Sequence, residues 1–204
     1  MEHDTGRIPA AYRAVMAAAE PIVRWWGRLE VTGLELLPAH GATIVVANHD
    51  SAWDPVVIAV AARKRRHIRA LAKASLWKNP VLRRVLDGMG QIPVRRGEGD
   101  TGALDSAIQC LEQGGCLGIF PEGTRSQGRQ LRARSGAGRL AHAVPQARVV
   151  CAAVSGVVDI VRFPRRPRLK VTFFEPTPPA PAESAIQLSN RLTAELRAVA
   201  PVAR

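Results

Sequence analysis

Acidic residues, aromatics and cysteines are all scarce in this sequence, and each scarcity removes a class of protein. The cysteines are Cys110, Cys116 and Cys151, an odd set without a CxxC pair. That argues against a disulfide framework and a zinc site, and it suits a reducing compartment. No run approaches the roughly 20 apolar residues of a membrane-spanning helix. The longest stretch free of Asp, Glu, Lys and Arg is Leu36–His49, and Pro38 and Gly41 interrupt it. Glu2 and Asp4 stand at the N-terminus with no apolar signal core behind them, so no secretory peptide is expected. No GxSxG occurs, which removes the strained serine elbow of the α/β-hydrolases. Aromatics are only 4% of residues and none interrupts the densest basic run, Arg63–Arg69, whereas single-strand nucleic-acid binders interleave the two. Nucleic acid therefore ranks low as a partner.

What is present is a substantial core and a large positive surplus. The chain has 204 residues, 47% of them hydrophobic, enough for one domain with a buried interior. Its net charge of +12 calls for an anionic partner: nucleic acid, an acidic membrane surface or a phosphorylated substrate. The basic run Arg63–Arg69 carries two readings. It is either a solvated helix end favoured by the helix dipole or a patch drawn to anionic lipid head groups.

The apolar pattern predicts a helix over residues 10–27, with Tyr12, Val15, Met16, Ala19, Ile22, Val23 and Trp26 on one face and Pro21 as a kink or restart. Residues 1–28 form an N-terminal helical segment, and residues 29–204 a single α/β domain. Tyr12, Trp25 and Trp26 lie among Arg13, Arg24 and Arg28, a mixture that suits either a membrane interface or packing against the domain. Beyond it, strands are expected over Ala42–Asn48, Ile68–Lys73, Gln91–Arg95, Cys116–Phe120, Val149–Val154 and Leu169–Phe174. Helices are expected over Pro55–Arg63, Ser75–Asp87, Leu104–Gln113, Gly136–Ala143 and Glu183–Val199, the last with a stripe of Leu188, Leu192, Leu196 and Val199. Strands alternating with helices predict an α/β fold, a mixed and mostly parallel sheet flanked by helices.

The chemistry concentrates in Asn48-His49-Asp50-Ser51-Ala52-Trp53-Asp54. On one helix, His49 and Asp54 would point about 140° apart. Asp54-Pro55 instead reads as an N-cap followed by the first helical residue. The two residues then flank a strand–turn–helix corner, where the loop folds His49 onto the carboxylate. A carboxylate on one imidazole nitrogen fixes the tautomer and stabilises the imidazolium formed when the other nitrogen takes a proton. The plain alternative is a helix cap beside a turn histidine, and the spacing by itself favours neither.

Two further segments bear on that choice. Phe120-Pro121-Glu122-Gly123-Thr124-Arg125-Ser126 follows a strand and joins a turn, a carboxylate suited to a substrate hydroxyl and a guanidinium suited to phosphate. Gly90-Gln91-Ile92-Pro93-Val94-Arg95-Arg96-Gly97 places two arginines at a strand end. Ligands of open α/β sheets gather outside the carboxyl ends of strands.

Together and in this order the segments resemble the glycerolipid acyltransferase family, typified by 1-acylglycerol-3-phosphate acyltransferase. The likeness rests on His49 and Asp54 in NHDSAWD, Arg96 in GQIPVRRG, and Pro121, Glu122, Gly123 and Arg125 in FPEGTRS. Val149–Gly156 resembles a fourth block, and the whole likeness spans about residues 30–175. It implies that His49 is the general base on an acceptor hydroxyl and that Asp54 orients it. Arg96, Glu122, Gly123, Thr124 and Arg125 are implied to bind the acceptor, a lysophospholipid such as 1-acyl-glycerol-3-phosphate. Acyl-CoA or acyl-carrier protein is implied as donor, with no metal or other cofactor and no covalent acyl-enzyme. A cytoplasmic location, peripheral at the inner face of the cell membrane and against its anionic surface, goes with that reading. Three features depart from the family pattern: Cys151 stands where a proline is common, Arg95 precedes Arg96, and the spanning helices of many members have no counterpart here. The alternatives are another lipid or glycolipid acceptor, or a non-enzymatic module for anionic membranes or nucleic acid.

Overall fold

The central strand shows how the layers arise. Strand β2 (Thr43–Ala47) has no exposed residue, so it must be covered on both faces. Ile44 and Val46 point into one apolar cluster, and Val45 and Ala47 into another on the opposite face. In this computed structural model, which describes residues 8–95, 101–161, 164, 166–180 and 182–203, β2 sits in the middle of a seven-stranded sheet. The other strands are β1 (Glu30–Thr32), β3 (Arg69–Lys73), β4 (Ile92–Val94), β5 (Cys116–Ile119), β6 (Arg148–Ser155) and β7 (Lys170–Phe174), in the order β1-β7-β6-β2-β5-β3-β4. Every pairing is parallel except β6 with β7. The expected α/β fold with a mixed, mostly parallel sheet is the observed one.

Helices α1 (Ala10–Glu20), α2 (Asp54–Ala62) and α3 (Pro80–Gly88) lie on the Val45 face. Helices α4 (Thr101–Glu112), α5 (Gly136–Ala143) and α6 (Ala185–Val199) lie on the Ile44 face. The chain therefore leaves β2 over one face and leaves its neighbour β5 over the other. Loops that diverge in this way open a crevice at the carboxyl ends of the two strands.

Several expectations are sharpened. At Pro21 the first helix changes its bonding pattern. It widens into a π-type turn over Pro21–Trp26, with Gly27 N–H donating to Ile22 O at 2.8 Å. A residue without an N–H is accommodated by shifting the bonding pattern. Tyr12, Met16 and Val23 of this N-terminal segment are buried against the domain, whereas Trp25 is exposed. The single helix expected over Ser75–Asp87 is two pieces, a 3₁₀ segment Ala74–Lys78 and then α3, because the extended Asn79 caps the second and Pro80 opens it. Strand β1 has no expected counterpart, since three residues with exposed flanks carry too little period to be read. At the end of α6, Val199 is exposed and the next residue, Ala200, is the buried one.

Three arginines of the basic run bond to other parts of the protein, while Lys64 and Arg65 remain exposed. Arg63 pairs with Glu20 at 2.7 Å, joining α2 to α1. Arg65 donates to Leu37 O and Glu35 O, and the buried Arg66 donates to Gly41 O at 2.7 Å and Gly114 O at 2.6 Å. All three cysteines are buried and free, and burial pushes the thiols of Cys116 and Cys151 up to about 12, which keeps them unreactive.

Helices α5 and α6 meet closely at Gly138. Its N–H donates to Ser189 Oγ at 2.9 Å, and an added Cβ would lie 2.0 Å from Ala185 O. Gly138→Ala should therefore cost about 1–3 kcal/mol, the usual penalty for overpacking. A lower urea midpoint at unchanged slope is the expected result.

Candidate active site

Strand β2 delivers Asn48 and His49 to the crevice, and Asn48 anchors the loop. It is buried, and its side-chain amide pairs with both backbone groups of Val154, donating to the carbonyl and accepting from the N–H at 2.8 Å each. The loop from Asp50 to Trp53 then closes on Asp54. Asp54 is not the cap predicted for α2: it is the first helical residue, Trp53 precedes it, and no side-chain cap bond forms. Its carboxylate turns back instead. One oxygen, Oδ2, accepts from Asp50 N–H and Ser51 N–H at 2.7 Å each and meets His49 Nδ1 at 3.0 Å. Asp54 and His49 are both buried. A carboxylate holding two backbone donors stays fixed, so it holds the imidazole in turn and assigns the Nδ1 proton to the shared bond. The other face of the ring is set by Phe120, stacked at 4.3 Å between centroids.

The loop after β5 is shaped by a turn. Gly123 N–H donates to Phe120 O at 3.0 Å, with Pro121 at the second position and Gly123 in the left-handed region at φ +69°. Ser126 N–H then donates to His49 O at 2.8 Å, stitching this loop to the β2 loop. Glu122 lies beneath both, 2% exposed. Its Oε2 accepts from His49 N–H at 3.0 Å, and its Oε1 accepts from Arg197 Nε at 2.8 Å. Both oxygens of Glu122, where a substrate hydroxyl is expected, are engaged by these two partners, and the carboxylate holds the His49 loop from below.

Two cavities flank Phe120. One, of about 410 Å³, is walled mainly by apolar side chains of α1, α2, β3 and α3, and His49, Arg125 and Lys73 stand on its lining. Its size falls within the range of about 300–1,000 Å³ typical of small-molecule sites. The other, of about 220 Å³, lies towards α4 and α5 and takes Gly123 together with Arg95, Arg134 and Arg139. The predicted site residues are thus divided. His49, Asp54 and Arg125 come together; Gly123 faces the second cavity; Thr124 is exposed on the turn; Arg96 lies outside the described residues. Among the described residues no cluster of His, Cys, Asp and Glu has the arrangement to hold a metal ion.

Two residues escaped the sequence reading. Lys73 ends β3 and shares the larger cavity with His49. A lysine closing a strand that points at the same crevice was the available signal. Arg197, on α6, reaches Asp50 with both terminal nitrogens at 2.9 Å and also binds Glu122. Ser189, Thr193 and Arg197 are four residues apart and all buried, a polar line beside the leucine stripe that the apolar pattern concealed.

The sequence matches the acyltransferase family profile over residues 28–155, more than half of the chain. The chain belongs to the acyltransferase family. It is 35% identical over 122 residues to a 1-acyl-sn-glycerol-3-phosphate acyltransferase of Borreliella burgdorferi, covering 58% of this chain and 48% of that protein. It is 28% identical over 115 residues to the protein of that name in Bacillus subtilis, covering 56% of this chain and 57% of that one. The chain thus matches about half the length of these two relatives. The crystal structure of the 1-acyl-sn-glycerophosphate acyltransferase of Thermotoga maritima shares the fold, with a TM-score of 0.66, 23% identity, and coverage of 92% of this chain and 81% of that one.

Asp50 supplies a pH signature. Burial raises the pKa of its carboxyl, but hydrogen bonds from Arg197 and Ser126 outweigh burial and hold it below the usual carboxylate range. A depressed pKa stabilises the fold above the unfolded pKa, and that stabilisation is lost as pH falls through the folded value. Asp50→Asn should therefore be less stable than wild type at pH 7. The gap should narrow on acidification below about pH 4, the ordinary Asp range, as read by urea denaturation at several pH values.

Proposed function

We propose that this acyltransferase moves a fatty acyl group from the thioester of acyl-CoA or acyl-carrier protein to the free hydroxyl of a lysophospholipid, with 1-acyl-glycerol-3-phosphate as the foremost acceptor. The observation that carries this reading is the Asp54–His49 pair on the lining of an apolar cavity that also holds Arg125 and Lys73. With Nδ1 engaged by Asp54, Nε2 of His49 is the basic nitrogen. It takes the acceptor's hydroxyl proton as the oxygen attacks the thioester carbonyl. The tetrahedral intermediate collapses with rupture of the C–S bond, and the imidazolium returns its proton to the thiolate. Asp54 stabilises the imidazolium between these two transfers. Apolar walls suit a hydrocarbon chain, and Arg125 and Lys73 offer two positive charges to a phosphate at the same opening. The names of the relatives support the acceptor class.

The surface around this cavity supports a place of action at a membrane. No helix among the described residues is long and apolar enough to cross a membrane. Helix α3 has no buried residue; it exposes Val81 and Leu82, and Leu76 is exposed just before it. Lys73, Lys78, Arg83 and Arg84 interleave with them, and Leu76 and Leu86 line the cavity. Apolar side chains ringed by basic ones suit an anionic lipid surface. We therefore place the protein peripherally on the membrane's cytoplasmic face, with α3 against the lipid.

Three variants test the reading. His49→Ala should abolish acyl transfer to 1-acyl-glycerol-3-phosphate while the protein stays folded; near-normal turnover would remove His49 as the base. Arg125→Ala should raise KM for the acceptor more than it lowers kcat. The double variant Val81→Ser, Leu82→Ser should lose binding to anionic vesicles in sedimentation. Unchanged binding, or equal binding of the wild type to neutral vesicles, would remove α3 as the contact.

A further inference from the structure

Three carboxylates crowd the catalytic loop, and only one of them touches the imidazole. Asp54 holds His49 Nδ1. Glu122 holds the His49 main-chain N–H, and the main-chain N–H of Asp50 is itself bound by Asp54. The side chains of Asp50 and Glu122 are 7% and 1% exposed, and Arg197 is the cation that bridges them. Its guanidinium grips Asp50 through Nη1 and Nη2 and Glu122 through Nε and Nη2. Every position of that fork is therefore matched to a carboxylate oxygen, which a point charge would not achieve. Arg197 lies on α6, beyond residue 155 where the family match ends. It approaches from the face of the sheet opposite the apolar cavity, and it is not part of that cavity's lining.

We propose that Arg197 is a positioning residue of the acyl-transfer reaction. It neutralises Asp50 and Glu122 so that both can hold the His49 loop from below, and His49 meets Asp54 in the geometry of a base. The inference rests on His49 serving as base in the reaction proposed above. Arg197 touches no reacting atom and acts through two links. One runs through Glu122 to the His49 main chain. The other runs through Asp50, whose main-chain N–H shares Asp54 Oδ2 with the imidazole. Without the guanidinium, two buried carboxylates face each other with no shared counter-charge, and the loop between them must give. The substrate cavity on the other face is left as it was.

The test compares Arg197→Met, the double variant Arg197→Met with Asp50→Asn, and Ser189→Ala. The last removes a buried packing contact of the same helix without touching the carboxylates. Acyl transfer is measured with the full chain, acyl-CoA and 1-acyl-glycerol-3-phosphate, under conditions where circular dichroism shows each variant folded. Arg197→Met should lose about 100-fold in kcat, the scale of a small misplacement at a reacting centre, with KM little changed. Removing the Asp50 charge in that background should restore at least part of the loss, since it relieves the uncompensated pair. Ser189→Ala should lose stability but keep kcat. A folded Arg197→Met enzyme with near wild-type kcat overturns the proposal. So does a loss of kcat that Ser189→Ala reproduces, or one that Asp50→Asn deepens. A readout independent of turnover separates this inference from the reaction itself. The Nδ1 proton of His49 should give a slowly exchanging downfield NMR signal in the wild type that disappears in Arg197→Met. Persistence of that signal in the variant refutes the positioning role even if the acceptor has been wrongly chosen. A wild type inactive on lysolipids, with the signal lost in Arg197→Met, refutes the reaction and leaves the positioning intact.

Discussion

The fold converges on one oxygen atom. Asp54 Oδ2 accepts from two successive main-chain N–H groups and meets the imidazole of His49. A loop that spends its own amides on a single carboxylate has little freedom left, so the imidazole bound to the same oxygen is held with it. The remaining contacts make that knot possible. Asn48 ties the strand end to β6, Ser126 ties the β5 loop to the β2 loop, and Glu122 supports His49 from below. These groups are buried polar or charged, and a partly satisfied network of this kind is costly. The arrangement therefore persists only because it is complete.

The sheet explains why the knot lies next to a cavity. Helix α2 leaves β2 over one face and α5 leaves β5 over the other, although the two strands are neighbours. The loops part above the strand ends, and Phe120 stands at the parting with a cavity on each side. The apolar cavity lies on the face covered by α1, α2 and α3, while the charged support for the His49 loop comes from α6 on the other face. The apolar cavity and the charged support of the His49 loop are thus separated by the sheet.

Much of this was legible beforehand, and the misses have specific causes. The alternation of strands and helices set the fold class, and a strand buried on both faces reads as a mainly apolar run, as β2 does apart from Thr43. His49 and Asp54 were legible as a corner because Pro55 marks a helix start. Only the cap assignment of Asp54 fails: a carboxylate before a proline resembles a cap, yet the loop's free amides and the imidazole take it instead. The contact of Glu122 with a substrate hydroxyl is an expectation from its chemistry and from the resemblance, and neither carries information on its burial. Its burial depends on α6, which lies far away in sequence.

The layers, the family and the His49–Asp54 pair can be read without coordinates, since each is written in local periodicity or in residues a few positions apart. Only the tertiary structure decided what surrounds that pair. Lys73 joins the cavity because β3 runs parallel in the same sheet and ends at the same edge. Arg197 reaches Asp50 across 147 positions of sequence because packing of α6 against the sheet carries it there. Buried charge is stable only when its partner arrives in three dimensions, and no local pattern encodes that arrival.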